Sequence, residues 1–98
     1  MILPTIHTNG TSPEMLKEGY LEAYRAVTAA DATLVAIEFN ARDYYPQGPE
    51  AWTTARAERQ HQLARLRCIA AELMTVLEHI QEALDAKAAQ RRASGQGA

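Results

Sequence analysis

Residues 16–37 read LKEGYLEAYRAVTAADATLVAI, and within them Leu16, Tyr20, Ala23, Val27, Ala30, Leu34 and Ile37 recur at alternating steps of four and three. That alternation is the heptad repeat of a helix laying one stripe against a neighbouring helix. With Leu16 at d, the a positions are Tyr20, Val27 and Leu34. The d positions Ala23 and Ala30 are small enough to permit close approach. A second line, Tyr24, Thr28, Ala32, Val35 and Phe39, descends another side of the same segment, so this helix carries two apolar faces.

The start of the helix is written in Thr11-Ser12-Pro13-Glu14, which offers either Ser12 as N-cap with Pro13 at the first helical position or Thr11 and Glu14 as a capping box. Its end is expected near Asn40 or Ala41, because Pro46, Gly48 and Pro49 follow. Residues 41–49 form the turn, and so short a connection makes the next helix antiparallel to the first. Pro49 suits the first position of that second helix, with Glu50 near its positive end.

The second helix repeats the pattern through Leu63, Leu66, Ala70, Leu73, Leu77, Ile80 and Leu84, with Ile69 and Val76 in g widening the stripe. The expected organisation is therefore all-α: an extended arm over 1–12, a two-helix hairpin over 13–90 (helix about 13–40, turn 41–49, helix about 50–90) and a disordered tail over 91–98. In the arm, Ile2, Leu3 and Ile6 are interrupted by Pro4 and Asn9-Gly10, which excludes a helix. Asn9-Gly10-Thr11 also matches a glycosylation sequon, but without a secretory signal it reads as a turn.

If the turn centres near residue 45, position i faces roughly 90 − i. This sets Leu16 opposite the Leu73 turn and leaves Leu77, Ile80 and Leu84 to be covered by the arm or by a second copy. It also puts Asp31 near Arg59 and Leu34 near Arg56, with both arginines at seam positions. Their stems are expected to cover the core while their heads reach Asp31, Glu38 or solvent. Trp52 and Ala55 close the core beside the turn.

A chain of 98 residues has room for one domain with a small core, and 19 of its residues are alanines, which favour helix and bury little area. Two apolar faces on one helix and a wide stripe on the other exceed what one hairpin buries, so dimerisation into a four-helix bundle is expected. The formal net charge of −2 gives no overall attraction to phosphate backbones or anionic membranes. The single cysteine, Cys68, excludes an internal disulfide and reads as a small buried apolar side chain. With no apolar run near the roughly 18 residues that span a bilayer, and no leader pattern at the start, the expectation is a cytoplasmic protein.

Candidate sites are few. Glu58 and His61 form a Glu-x-x-His pair of the kind that ligates di-iron centres in four-helix bundles, but the heptad places them at c and f, on the outer face. His79 and Glu82 fail in the same way, and His7 lies in the arm as a capping or packing residue. Serine, cysteine and histidine are too scattered to pair a nucleophile with a base, so neither catalysis nor a cofactor or metal is expected. Arg42, Asp43, Tyr44 and Tyr45 are the candidate partner-binding residues, since adjacent loop tyrosines supply rigid amphipathic area. The competing reading has one tyrosine plugging the bundle end and bonding a free carbonyl of the first helix. Arg56, Arg59, Arg65 and Arg67 are candidate nucleic-acid contacts, although Glu58 interrupts them and they point in different directions.

The segments Ile6-His7-Thr8-Asn9-Gly10-Thr11-Ser12 and Ala41-Arg42-Asp43-Tyr44-Tyr45-Pro46-Gln47-Gly48 resemble small uncharacterised helical proteins encoded in bacteriophages and prophages, a resemblance extending in outline over residues 6 to about 80. It implies a phage or prophage origin and a bacterial host cytoplasm, and transfers no catalytic residue. The functional expectation is a non-enzymatic helical interaction or structural protein, forming a homodimer and engaging a protein partner. The alternative is a regulatory protein touching nucleic acid through the arginines of the second helix.

Overall fold

The computed structural model describes residues 1–96, and within them the chain forms two long helices and no strand. Helix α1 spans Pro13–Ala36 and helix α2 spans Ala51–Gln96, joined by a connection holding two 3-10 turns, Ala41–Asp43 and Tyr45–Gln47. Of the two start signals for α1, the Ser12 cap with Pro13 at the first position is the one realised: the Ser12 hydroxyl accepts from the Met15 amide at 3.2 Å. The Glu14 carboxyl in that first turn is held below its ordinary 4.5, first by its own backbone amide and then by the Lys87 ammonium.

Helix α1 ends four residues earlier than the proline signal predicts. Ile37 turns out at ψ 132°, its amide bonding the Leu34 carbonyl at 3.2 Å. The segment released in this way folds back along the first turns of α2, where the Phe39 ring lies 4.8 Å from that of Trp52. Gly48, at φ 117° and ψ 165°, provides the reversal into α2 in a conformation open only to glycine. Helix α2 begins at Ala51 and runs beyond the expected end near 90 as far as Gln96, so residues 91–96 of the expected tail are helical. The final two residues of that tail lie outside the described ones.

Because the connection lies against α2 and does not merely bridge the two ends, the register differs from the expected one by about a heptad. Asp31 pairs with Arg67 at 2.8 Å, two positions whose numbers add to 98, and Glu14 pairs with Lys87 at 3.3 Å. Position i of α1 thus faces roughly 98 − i of α2. The pairing of Asp31 with Arg59 is corrected accordingly, and Leu77 and Ile80 lie beside the start of α1 instead of beyond it.

They are also where the arm packs. The His79 Nε2 proton is donated to the Pro4 carbonyl at 2.7 Å, and Leu3–Ile6 lie along His79, Glu82 and Ala83. The chain then turns at His7–Gly10, whose backbone closes at 3.1 Å, and enters α1 through Pro13. Three segments meet at this end, and the buried hydrophobic side chains collect there: Val76 at 5%, Leu77 at 8% and Ile80 at 0% exposure. Along the middle of the hairpin two helices alone share the seam, and two cylinders in contact cannot enclose a side chain fully.

Candidate interaction surface

At the hairpin tip, Phe39, Tyr44 and Trp52 form an aromatic trio with ring centroids 4.8 to 5.8 Å apart. Tyr44 is half-buried within it, whereas Arg42, Asp43 and Tyr45 are exposed, Tyr45 by 70%. The two readings of the paired tyrosines thus divide between the residues: Tyr44 packs into the tip, and Tyr45 projects from it. The free carbonyls of α1 do not go to a tyrosine hydroxyl.

They go to Arg59. Its guanidinium donates to the carbonyls of Leu34 at 3.0 Å, Val35 at 2.9 Å and Ile37 at 3.4 Å, and it lies 4.6 Å from the centre of the Phe39 ring. Helix α1 has no basic residue in its last turn, so an arginine from the other helix supplies the positive charge its C-terminus lacks. This explains an arginine at a seam position: the fork of five donors reaches several carbonyls at once while the flat group covers an aromatic face. Arg56 stacks 5.4 Å from the Trp52 ring centre. Arg67 is engaged by Asp31, and Arg65 is exposed. The four arginines are spread over separate surfaces, as their spacing predicts.

Glu58 and His61 are both exposed, and His79 is committed to the arm. Among the described residues no group of three His, Cys, Asp or Glu side chains is gathered for a metal. Cys68, expected to be buried, is exposed: it occupies f, and the hairpin covers only the seam side of α2.

The hairpin has two unlike flanks. The Asp31–Arg67 pair joins e positions, so the e residues of both helices share one flank and the g residues share the other. On the e flank, Tyr24, Val27, Thr28 and Met74 line an open groove of about 420 Å³ with the ion pair at its edge. The g flank carries the arm at the Ala83 end and is uncovered around Ile69, which is 44% exposed.

One stretch departs furthest from what a solvent-facing helix should be. Residues 26–37 of α1 and its cap, AVTAADATLVAI, contain one charge, Asp31. Only Val27, Asp31 and Leu34 are even half-buried, and Ala26, Ala29, Ala30, Ala32, Val35 and Ile37 face outward. The threonines offer no free donor, because the Thr28 hydroxyl donates back to the Arg25 carbonyl at 3.0 Å and that of Thr33 to the Ala29 carbonyl at 2.8 Å. A helix apolar on all sides belongs in an interior. The heptad reading found both apolar faces of this segment and that one hairpin cannot bury them, but not which residues stay open, since that depends on the register.

Comparison with models of known protein families, with curated proteins and with solved structures finds no match.

Proposed function

We propose that this chain is a non-enzymatic helical interaction protein that functions as a self-associated hairpin, with residues 26–37 as the heart of the surface that becomes covered. The observation that carries this reading is a half-helix without an outward charge and without a cover. Area supports it: the chain exposes 7401 Å², against roughly 5,500 Å² for a folded monomer of its mass. The excess, about 1,900 Å², is more than the roughly 800 Å² that each partner contributes to a standard interface. A phage or prophage role belongs to the same proposal and rests on the resemblance of the arm and turn segments.

Light scattering tests the reading. A dimer, about twice the 10.8 kDa chain mass, is expected at micromolar concentration; a monomer across the accessible range sinks it. The nucleic-acid alternative has lost part of its basis, since Arg59 and Arg67 are spent on contacts within the chain. Retention on duplex DNA at low salt, released as salt rises, would restore it.

A further inference from the structure

The uncovered flank has a charge pattern that fits its own copy. Along α2, residues 56–67 carry four arginines against one glutamate, whereas residues 72–85 carry four carboxylates and no lysine or arginine; with Arg56, Arg59 and Arg67 engaged within the chain, Arg65 and Glu72 are the members of these blocks that stand on the open ridge. Two such helices side by side in the same direction set like charge against like. Running in opposite directions and crossing between these blocks, they set opposite charges together twice, which is the pairing a two-fold axis generates.

The position of the crossing is marked on the surface. Arg65, Ile69 and Glu72 follow one another at steps of four and three, so they share one ridge of the helix, and all three are exposed. Ile69 is the large apolar side chain left open on that ridge. In an antiparallel pair with Ile69 at the axis, Arg65 meets Glu72 of the other copy and Glu72 meets Arg65. Beyond Glu72 the ridge is covered by the arm at His79, so the contact is confined to the stretch around Ile69. The register of the hairpin sets Ile69 level with Ala29 and Ala30 of α1, so the same contact brings the small, uncharged part of α1 under the partner, where alanines allow backbones to approach closely.

We infer that the g flank is an isologous dimer interface occupied by a second copy of this chain, with Ile69 on the two-fold axis and reciprocal Arg65–Glu72 contacts on either side. The inference rests on the self-association proposed above and specifies its face and direction. It assigns the e-flank groove no part in the dimer, which leaves the Tyr24–Met74 groove open in the assembled form.

Charge reversal in the full chain tests it. Neither Arg65 nor Glu72 has an ion-pair partner among the described residues, and no lysine, arginine, aspartate or glutamate lies three or four positions from either, so reversal leaves the hairpin intact. Each of Arg65→Glu and Glu72→Arg replaces two attractive contacts by two repulsive ones and should raise the dimer dissociation constant about tenfold or more at low ionic strength. The double variant Arg65→Glu/Glu72→Arg restores the complementarity and should return the constant to within about threefold of the parent. Sedimentation of the four proteins, with circular dichroism confirming equal helix content, reads the result. A parent dimer whose single variants sediment unchanged, or whose double variant stays weak, overturns this face while leaving self-association standing. A dimer broken by Met74→Glu but not by the reversals assigns the contact to the e flank instead. A monomeric parent removes both claims.

Discussion

Arg59 shows how one side chain can end a helix it does not belong to. Three terminal carbonyls and the face of Phe39 converge on its guanidinium. Arg59→Ala therefore strands those carbonyls and uncovers the ring, and should lower unfolding free energy in urea by about 1 to 3 kcal/mol. Arg59→Lys keeps the charge but not the fork, so part of that loss should remain. Equal stability of parent and Arg59→Ala would show that the carbonyls are satisfied by water at no cost. Gly48 is the other residue with no substitute: at φ 117° a β-carbon is strained even though nothing crowds it, and Gly48→Ala should cost about 1 to 3 kcal/mol in the same assay. The peculiarity of Arg59 was visible in the heptad, where an arginine occupies a seam position. Its partners were not, because they depend on where α1 stops.

Between elements, the decisive fact is that burial is concentrated where arm, α1 and α2 meet. Ile80→Ala should cost about 2 to 5 kcal/mol, in the range of fully buried core truncations, whereas half-buried Leu73 in the two-helix section should cost distinctly less. Removing residues 1–6 should weaken the fold by uncovering Val76 and Ile80, and comparable costs for Ile80→Ala and Leu73→Ala would mean the arm adds nothing. The periodicity of Leu16–Ile37 and Leu63–Leu84 made the hairpin legible, and the Ser12-Pro13 signal located the start of α1 to the residue. The register was not legible, since a turn centre was inferred from Pro46 and Pro49 while the actual path lets Phe39 and Tyr44 lie back on Trp52. Where arm and helices meet, Glu14 also ties α1 to Lys87. Its carboxyl is depressed, so its contribution is complete above the ordinary 4.5 and disappears as pH falls through the lower folded value. A carboxyl resonance titrating at or above 4.5 would show that neither the amide nor Lys87 holds it.

For the whole molecule, the radius of gyration is 21.3 Å, against about 13 Å for a compact domain of this length. A rod 76 Å long and 23 Å across has little interior, and its stability in isolation must come from one end. Hydrogen exchange should resolve this as a gradient. Amides of residues 76–80 should be the slowest in dilute solution, because only there do three segments exclude water, and exchange should quicken towards both the hairpin tip and the end of α2. Raising the protein concentration should then add protection at 26–36 and around 65–72, the segments that a second copy covers, and leave 42–47 unchanged. The helix of residues 26–36 carries no charge but Asp31, which Arg67 pairs, so protection gained there reports removal of surface from water and not tightening of a charged loop. If concentration leaves 26–36 as fast as before while light scattering shows a dimer, the copies meet elsewhere, and the apolar half of α1 waits for a different protein.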